Sequence, residues 1–367
     1  MRIGIDARPL IAEKLSGIGN YVINILKYCN NNFDKEYILY SNEELLYHSE
    51  IIDRFEKRII PGTVGTTWVC FGLRRALQND HIDIFWGTQH MIPLTSRDLR
   101  LVLTVHDFAL LINPSWGSTR NAIMQNIFGK MSARRADCII ADSESTANDI
   151  RKLIKKRKQD IHSIHLGGGQ IFRDLTIDEE KSFSEKFNVK TCEYFLYLGT
   201  IEPRKNISGI VKAYNIYRRN QGKKKLLIVG GFGWKYKKIL QEINNSPYKG
   251  DIFLPGYISE AEKSFLLRNT IAFLFPSNYE GFGFPVLEAM AYGIPVITTN
   301  VSSLPEVGGE YAYYVESPKD WNKISELMIQ IEKMSKEDKQ ILSEAEKKWY
   351  LRFDWKKCAM DTLSLLE

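Results

Sequence analysis

A chain of 367 residues is long enough for two domains with separate cores. With 26% charged and 44% hydrophobic residues it has the composition of an ordinary soluble protein, and nothing in it approaches the uninterrupted apolar run of a membrane-spanning helix. The net charge of +6 suits anionic partners such as nucleotide diphosphates or acidic lipid headgroups, while the lack of an arginine-aromatic array argues against nucleic acid.

Met1-Arg-Ile-Gly-Ile-Asp6 alternates like a first strand and lacks the apolar core of a signal peptide. Five cysteines, an odd number without a Cys-x-x-Cys, point to a reducing cytoplasm. Ser16-Gly-Ile-Gly-Asn20 precedes an expected amphipathic helix from Tyr21 to Tyr28, and Gly17 and Gly19 let backbone approach a phosphate there. Short apolar runs follow at Ile82 to Trp86, Leu101 to Thr104 and Cys138 to Ile140, and later at Leu226 to Val229, Ile271 to Phe275 and Pro295 to Thr298. They alternate with stretches of helical period, which predicts parallel sheets covered by helices on both faces. The rhythm occurs twice. The first series ends near Ile161 to Leu166, and a second opens at Tyr194-Phe-Leu-Tyr-Leu198 after a polar stretch from Arg173 to Lys190. The expected division is residues 1–175 and residues 191–352, with a helical period in the last segment, 353–367, and ligands in a cleft at the carboxyl ends of the strands.

Thr104-Val-His-Asp107 ends an apolar strand and turns His106 and Asp107 toward that region; Asp107 is a candidate base for an acceptor hydroxyl. Thr66 to Arg75 mixes exposed-looking aromatics with paired arginines, and Arg151 to Lys158 holds six basic residues in eight, so either segment can meet acidic lipid. His162 and His165 fall in a strand without a third ligand and are read as packing residues rather than a metal pair.

In the second half, Arg204 and Lys205 lie between a strand and a helix expected from about Asn206 to Arg219. This is electrostatically the wrong end of a helix for cations, which points to neutralisation of a diphosphate leaving group. Asn278-Tyr-Glu-Gly-Phe-Gly-Phe-Pro-Val-Leu-Glu288 sets Glu280 in a loop punctuated by Gly281 and Gly283, with Phe282 between them, and Glu288 on the helix that follows. Both carboxylates are suited to gripping hydroxyls, Glu288 those of a ribose. Ser302 and Ser303, before a further helical turn, can donate to phosphates. No Asp-x-Asp occurs, so cationic side chains are expected in place of a divalent metal. No cofactor is expected.

Glu280-x7-Glu288 followed by Ala289-Met-Ala-Tyr-Gly-Ile-Pro-Val296, with Leu198-Gly-Thr-Ile-Glu-Pro-Arg-Lys-Asn206 upstream, resembles the retaining GT-B glycosyltransferases of the Glu-x7-Glu group, family 4 or group 1. The resemblance runs from Gly4-Ile-Asp-Ala-Arg8 to the helix around Trp355. It implies two doubly wound Rossmann-like domains, a C-terminal helix, 353–367, that crosses back to the N-terminal one, a nucleotide-diphosphate sugar donor in the C-terminal domain, and a saccharide or lipid-linked saccharide acceptor in the other. By the same resemblance Glu280 holds the transferred sugar, and Tyr257 and Ile258 line the base pocket. His106 lies near the sugar, and the Gly17 and Gly19 loop lies beside the phosphates. Thr200 is a departure, because many relatives carry arginine after the strand-end glycine. Similarity to bacterial surface-polysaccharide mannosyltransferases, chiefly around Gly199 to Asn206, makes GDP-mannose the first donor to consider. A nucleotide-sugar 2-epimerase, or a binding module without chemistry, stays open as an alternative.

Overall fold

The computed structural model describes residues 1–30, 34–62, 65–94, 99–154, 160–169 and 174–367. It divides into two compact units, Met1–Gly167 with Phe353–Glu367, and Gly168–Arg352. The first contains a parallel seven-stranded sheet of β1 (Arg2–Asp6), β2 (Glu36–Ser41), β3 (Glu56–Ile59), β4 (Ile84–Gly87), β5 (Arg100–Val105), β6 (Cys138–Ala141) and β7 (Ile161–Ser163), in the order β3-β2-β1-β4-β5-β6-β7. The second contains β8 (Tyr194–Leu198), β9 (Lys225–Val229), β10 (Ile252–Gly256), β11 (Ala272–Phe275), β12 (Val296–Thr299) and β13 (Tyr313–Val315), in the order β10-β9-β8-β11-β12-β13. Both sheets are doubly wound, because each central strand has neighbours reached in opposite directions.

The central strands are buried along their whole length, as Tyr194 to Leu198 and Ala272 to Phe275 illustrate, which is why they read as continuous apolar runs. The edge strand β3, Glu56-Lys-Arg-Ile59, was not expected: three of its four side chains are charged, and it stays half-exposed at the sheet margin. The first helix spans Gly17–Leu26 and thus begins earlier than the apolar pattern suggests. Ser16 causes this, its hydroxyl accepting from the Gly19 amide at 3.2 Å. Gly17 and Gly19 are therefore first-turn residues rather than a free loop, and a Cβ on Gly19 would stand 2.8 Å from the Pro9 carbonyl.

The aromatic run at Thr66 to Arg75 needs a correction: Trp68 is 1% exposed and donates its indole N–H to the Ile60 carbonyl, so it belongs to the core, while Phe71 is 52% exposed. Of the basic run, Arg151 and Lys152 end the helix Glu144–Ile154, and Lys155 to Lys158 lie outside the described residues. The last helix, Trp355–Ser364, packs with the first unit against Gly17–Leu26. Among the described residues no cysteine forms a disulfide and no helix is long and apolar enough to cross a membrane.

One buried group works against stability. Glu346, on the helix Lys336–Tyr350, is fully buried with neither carboxylate oxygen hydrogen-bonded, and burial pushes its carboxyl up to about 9 despite Lys347 nearby. Its folded value exceeds the unfolded one, so stability is greatest below the unfolded value of 4.5 and is lost as pH rises toward 9. Glu346→Met should stabilise the protein by roughly 2 kcal/mol at pH 8 and by much less at pH 5. Urea unfolding at the two pH values checks this; an equal difference at both would show that Glu346 is ionised in the folded state.

Candidate active site

Ligands of doubly wound sheets sit at the carboxyl ends of strands where the strand order reverses. In the second unit that point lies between β8 and β11, and in the first between β1 and β4. After β8 the chain passes Gly199 and Thr200 into a short turn, Pro203–Lys205, then into the helix Ile207–Arg219. Asn206 joins the two in a left-handed conformation (φ 56°), and its amide donates to the carbonyls of Pro276 at 2.9 Å and Pro318 at 2.7 Å. That clamp ties the loop after β8 to the loop after β11.

Arg204, Lys205 and Glu280 meet there. The Lys205 ammonium lies 2.8 Å from both Glu280 carboxylate oxygens, Arg204 Nη1 donates to Oε2 at 3.1 Å, and the Ser277 hydroxyl donates to Oε1 at 2.6 Å. Arg204 also donates to Glu202 Oε1 at 3.2 Å and to the Tyr279 carbonyl at 3.0 Å. Two cations thus face two carboxylates in a cluster from which water is nearly excluded: the Glu280 side chain is 7% exposed and that of Lys205 12%. Burial alone would raise the Glu280 carboxyl, but Lys205 and Arg204 outweigh it and hold it below the ordinary value. Burial lowers the Lys205 ammonium and Arg204 adds to this, with Glu280 offsetting only part.

The Glu280 loop is itself pinned. Its amide donates to Ser302 Oγ at 2.9 Å, and the Ser303 hydroxyl lies 3.0 Å from the Glu280 carbonyl and 2.7 Å from that of Phe282. Ser303 is therefore turned onto the loop. Gly281, Phe282 and Gly283 are buried, and Gly283, at φ 114°, takes a conformation that favours glycine as the chain enters the helix Phe284–Ala291 with Pro285 in its first turn.

Glu288 projects from that helix and accepts from Lys263 at 2.9 Å; Lys263 also reaches Glu260 at 2.8 Å. Burial lowers Lys263, but the two carboxylates more than restore it. Tyr257, 74% exposed, and the half-buried Ile258 precede the helix Glu260–Asn269, which opens with a capping box between Ser259 and Glu262. Thr200 is exposed, and its carbonyl accepts from the Tyr197 hydroxyl at 3.0 Å.

In the first unit, His106 lies at the end of β5 with both ring nitrogens engaged: Nδ1 is 2.7 Å from Asp142 Oδ2, and Nε2 is 2.8 Å from the Thr88 carbonyl. The Thr88 carbonyl accepts only, as does Asp142 as a carboxylate, an arrangement that suits a proton on each ring nitrogen. Burial opposes this, but the Asp142 charge and hydrogen bond raise His106 above its ordinary value. His90 stands edge-on at 5.5 Å and is pushed down to about 4 by burial and by the His106 charge. Asp107 Oδ1 accepts from the Ala109 amide at 3.0 Å, at the start of the short helix Ala109–Ile112.

Glu202, Ser277, Asn206, Lys263 and Asp142 were not anticipated. Asp142, directly after the Cys138 to Ala141 strand, carried the same strand-end signal as His106. So did Gly230-Gly-Phe-Gly233 after β9. Lys263 gives none, because its partner Glu288 belongs to a different helix.

Two family models match in sequence order, Glycosyltransferase Family 4 over residues 15–167 and Glycosyl transferases group 1 over residues 178–349. The O-antigen chain mannosyltransferase B of Escherichia coli is 29% identical over 285 residues, 77% of this chain and 73% of that protein. The serotype-specific mannosyltransferase WbdA, also from Escherichia coli, is 26% identical over 249 residues, 65% of this chain but only 30% of its own length. Among solved structures, Anabaena Alr3699/HepE in complex with UDP and glucose superposes with a TM-score of 0.74 at 16% identity, covering 100% of this chain and 99% of that one. WaaG, a glycosyltransferase involved in lipopolysaccharide biosynthesis, gives 0.74 at 14% identity over 100% and 99%. The two matched models, the doubly wound sheet in each unit and these structural neighbours agree: the chain belongs to the group 1, family 4 glycosyltransferases and has their GT-B fold.

Proposed function

We propose that this chain transfers a hexose, with mannose from GDP-mannose as the first case, from a nucleotide-diphosphate donor to a hydroxyl of a saccharide or lipid-linked saccharide, with retention at the anomeric carbon and without a divalent metal. The carrying observation is the buried cluster in which Arg204 and Lys205 grip Glu280 at the ends of β8 and β11. Residues 191–352 hold the donor in this reading, and residues 1–175 with 353–367 the acceptor. Support for mannose comes from two relatives described as mannosyltransferases, one of them of the O-antigen chain, and support for a nucleotide donor from a neighbour in complex with UDP and glucose. The reading sets the reaction in bacterial surface-polysaccharide synthesis, in the cytoplasm at the inner face of the membrane.

Each residue has a task in that reaction. The diphosphate of the arriving donor draws Arg204 and Lys205 toward itself, which opens acceptor positions on Glu280 for hydroxyls of the transferred sugar. As the bond from the anomeric carbon to the phosphate oxygen breaks, its electron pair passes to that oxygen, and the two cations stabilise the growing charge. The acceptor oxygen forms its bond to the anomeric carbon on the same face, and its proton goes to the leaving phosphate. In this assignment Glu280 orients hydroxyls of the sugar and does not attack the anomeric carbon. His106 supplies a fixed positive charge in the first unit, and Asp107 lies beside it for the acceptor.

Glu288 is assigned to the ribose. Glu288→Ala should weaken nucleoside-diphosphate affinity by about 1.5 to 3 kcal/mol, the value of a charge-assisted hydrogen bond, and leave turnover at saturating donor little changed. Isothermal titration with GDP and UDP reads the affinity, and an unchanged dissociation constant removes Glu288 from the donor site.

The reaction should run at full rate in excess EDTA, and the one-bond carbon-proton coupling of the product should report the donor's anomer. Activity lost to EDTA and restored by manganese overturns the metal-free half. An inverted product overturns retention.

A further inference from the structure

Within the second unit a lysine stands where a helix does not favour one. Lys263 lies near the N-terminal end of the helix Glu260–Asn269, the end at which free backbone amides already present positive charge, and its side chain is only 17% exposed. Two carboxylates hold it there. Its ammonium is 2.9 Å from Glu288 Oε1, on the helix Phe284–Ala291, and 2.8 Å from Glu260 Oε2. Burial lowers the Lys263 ammonium, yet Glu288 and Glu260 hold it above the ordinary value, so it stays charged.

The two carboxylates are not equivalent. The Glu260 side chain is 64% exposed and screened by water, while that of Glu288 is 25% exposed and feels its partner more strongly. Glu262, in the same helix turn, is committed elsewhere: it accepts from the Ser259 amide at 2.7 Å and pairs with Lys186. Among the described residues Lys263 is the donor to Glu288, at Oε1, and none donates to Oε2. A carboxylate on a helix surface samples several rotamers, and an ion pair at one oxygen selects among them. Removing the ammonium would also leave Glu260 and Glu288 as like charges facing one another, a poor setting for an anionic ligand.

We propose that Lys263 is a positioning residue for the donor, which fixes Glu288 and cancels its repulsion so that this carboxylate can accept from the ribose hydroxyls, while Lys263 itself does not touch the nucleotide. The inference rests on the assignment of Glu288 to the ribose made under the proposed function.

The test is isothermal titration of the full chain with GDP and UDP and with their dideoxyribose analogues, which keep the base and diphosphate but lack the ribose diol. Lys263→Met should weaken the ribonucleotide by roughly tenfold and leave the dideoxy analogue within about twofold, because only the diol meets Glu288. Lys263→Arg keeps the charge and should stay within about threefold of the parent with either ligand. Added to Glu288→Ala, Lys263→Met should weaken the ribonucleotide no further, since the residue through which it acts is gone. Turnover at saturating donor should match the parent, with the loss confined to KM. If Lys263→Met melts lower than the parent, Lys263→Gln takes its place.

Three results overturn the proposal: equal losses for the ribonucleotide and its dideoxy analogue, additive losses in the double variant, or a Lys263→Met protein that keeps the parent's preference for the diol. Glu288→Ala separates the two levels of failure. If that variant also keeps the preference, the ribose assignment of Glu288 falls and the inference with it; if it loses the preference while Lys263→Met keeps it, only the role of Lys263 falls. Binding of neither nucleotide by the parent overturns the donor reading and this inference together.

Discussion

Glu280→Gln should lower turnover by about a hundredfold to a thousandfold while leaving nucleoside-diphosphate affinity nearly unchanged. The proposed role predicts this split. The diphosphate is neutralised by Arg204 and Lys205, which the substitution leaves in place, whereas the sugar hydroxyls lose the charged acceptor that orients them. The amide keeps the size of the carboxyl, so packing beneath Ser277 and Ser302 is preserved. Single-turnover rates at saturating donor, set beside titration with the nucleotide alone, measure the two effects. Lost nucleotide affinity with retained turnover would mean that the roles of Glu280 and Glu288 are exchanged.

Lys205→Ala should cost about a hundredfold in turnover and much less in donor binding. Charge on the diphosphate grows as the glycosidic bond breaks, so a buried ammonium interacts more strongly with the transition state than with the bound donor. Removing it also strips the Glu280 carboxylate of its shortest cationic contact and leaves Arg204 and Ser277 as its side-chain donors among the described residues. The comparison is turnover against donor dissociation constant. Equal losses in both would reduce Lys205 to a residue that binds ground state and transition state alike.

Much of the architecture was legible because buried parallel strands leave a plain mark: β8 and β11 are unbroken apolar runs between polar loops. The unread strands include β2, inside the first sheet, and β3 and β13 at margins; β3, Glu56-Lys-Arg-Ile59, carries charges that an edge tolerates and a centre does not. Arg204 and Lys205 drew notice as cations at the wrong end of a helix, and Glu280 as an acid in a glycine-punctuated loop. Their mutual contact was not legible, since it depends on β8 and β11 being neighbours in the sheet, a pairing between segments 75 residues apart for Lys205 and Glu280. The same holds for Asp142 and Thr88 on either side of His106. Trp68 was misjudged because an aromatic beside arginines looks like surface, and only the packed chain shows its indole turned inward to Ile60.

The clasp on Glu280 also sets an order of events. A loose monosaccharide meets a carboxylate whose lone pairs are already occupied, and it brings no charge with which to open the cluster. Under the proposed function only a ligand carrying its own anion does so, which would make recognition of the sugar conditional on arrival of the nucleotide. In the same reading the spent nucleoside diphosphate keeps that anion after the sugar has gone and would compete with fresh donor for the same two cations. Removal of this product from its surroundings then governs how long such a catalyst keeps working.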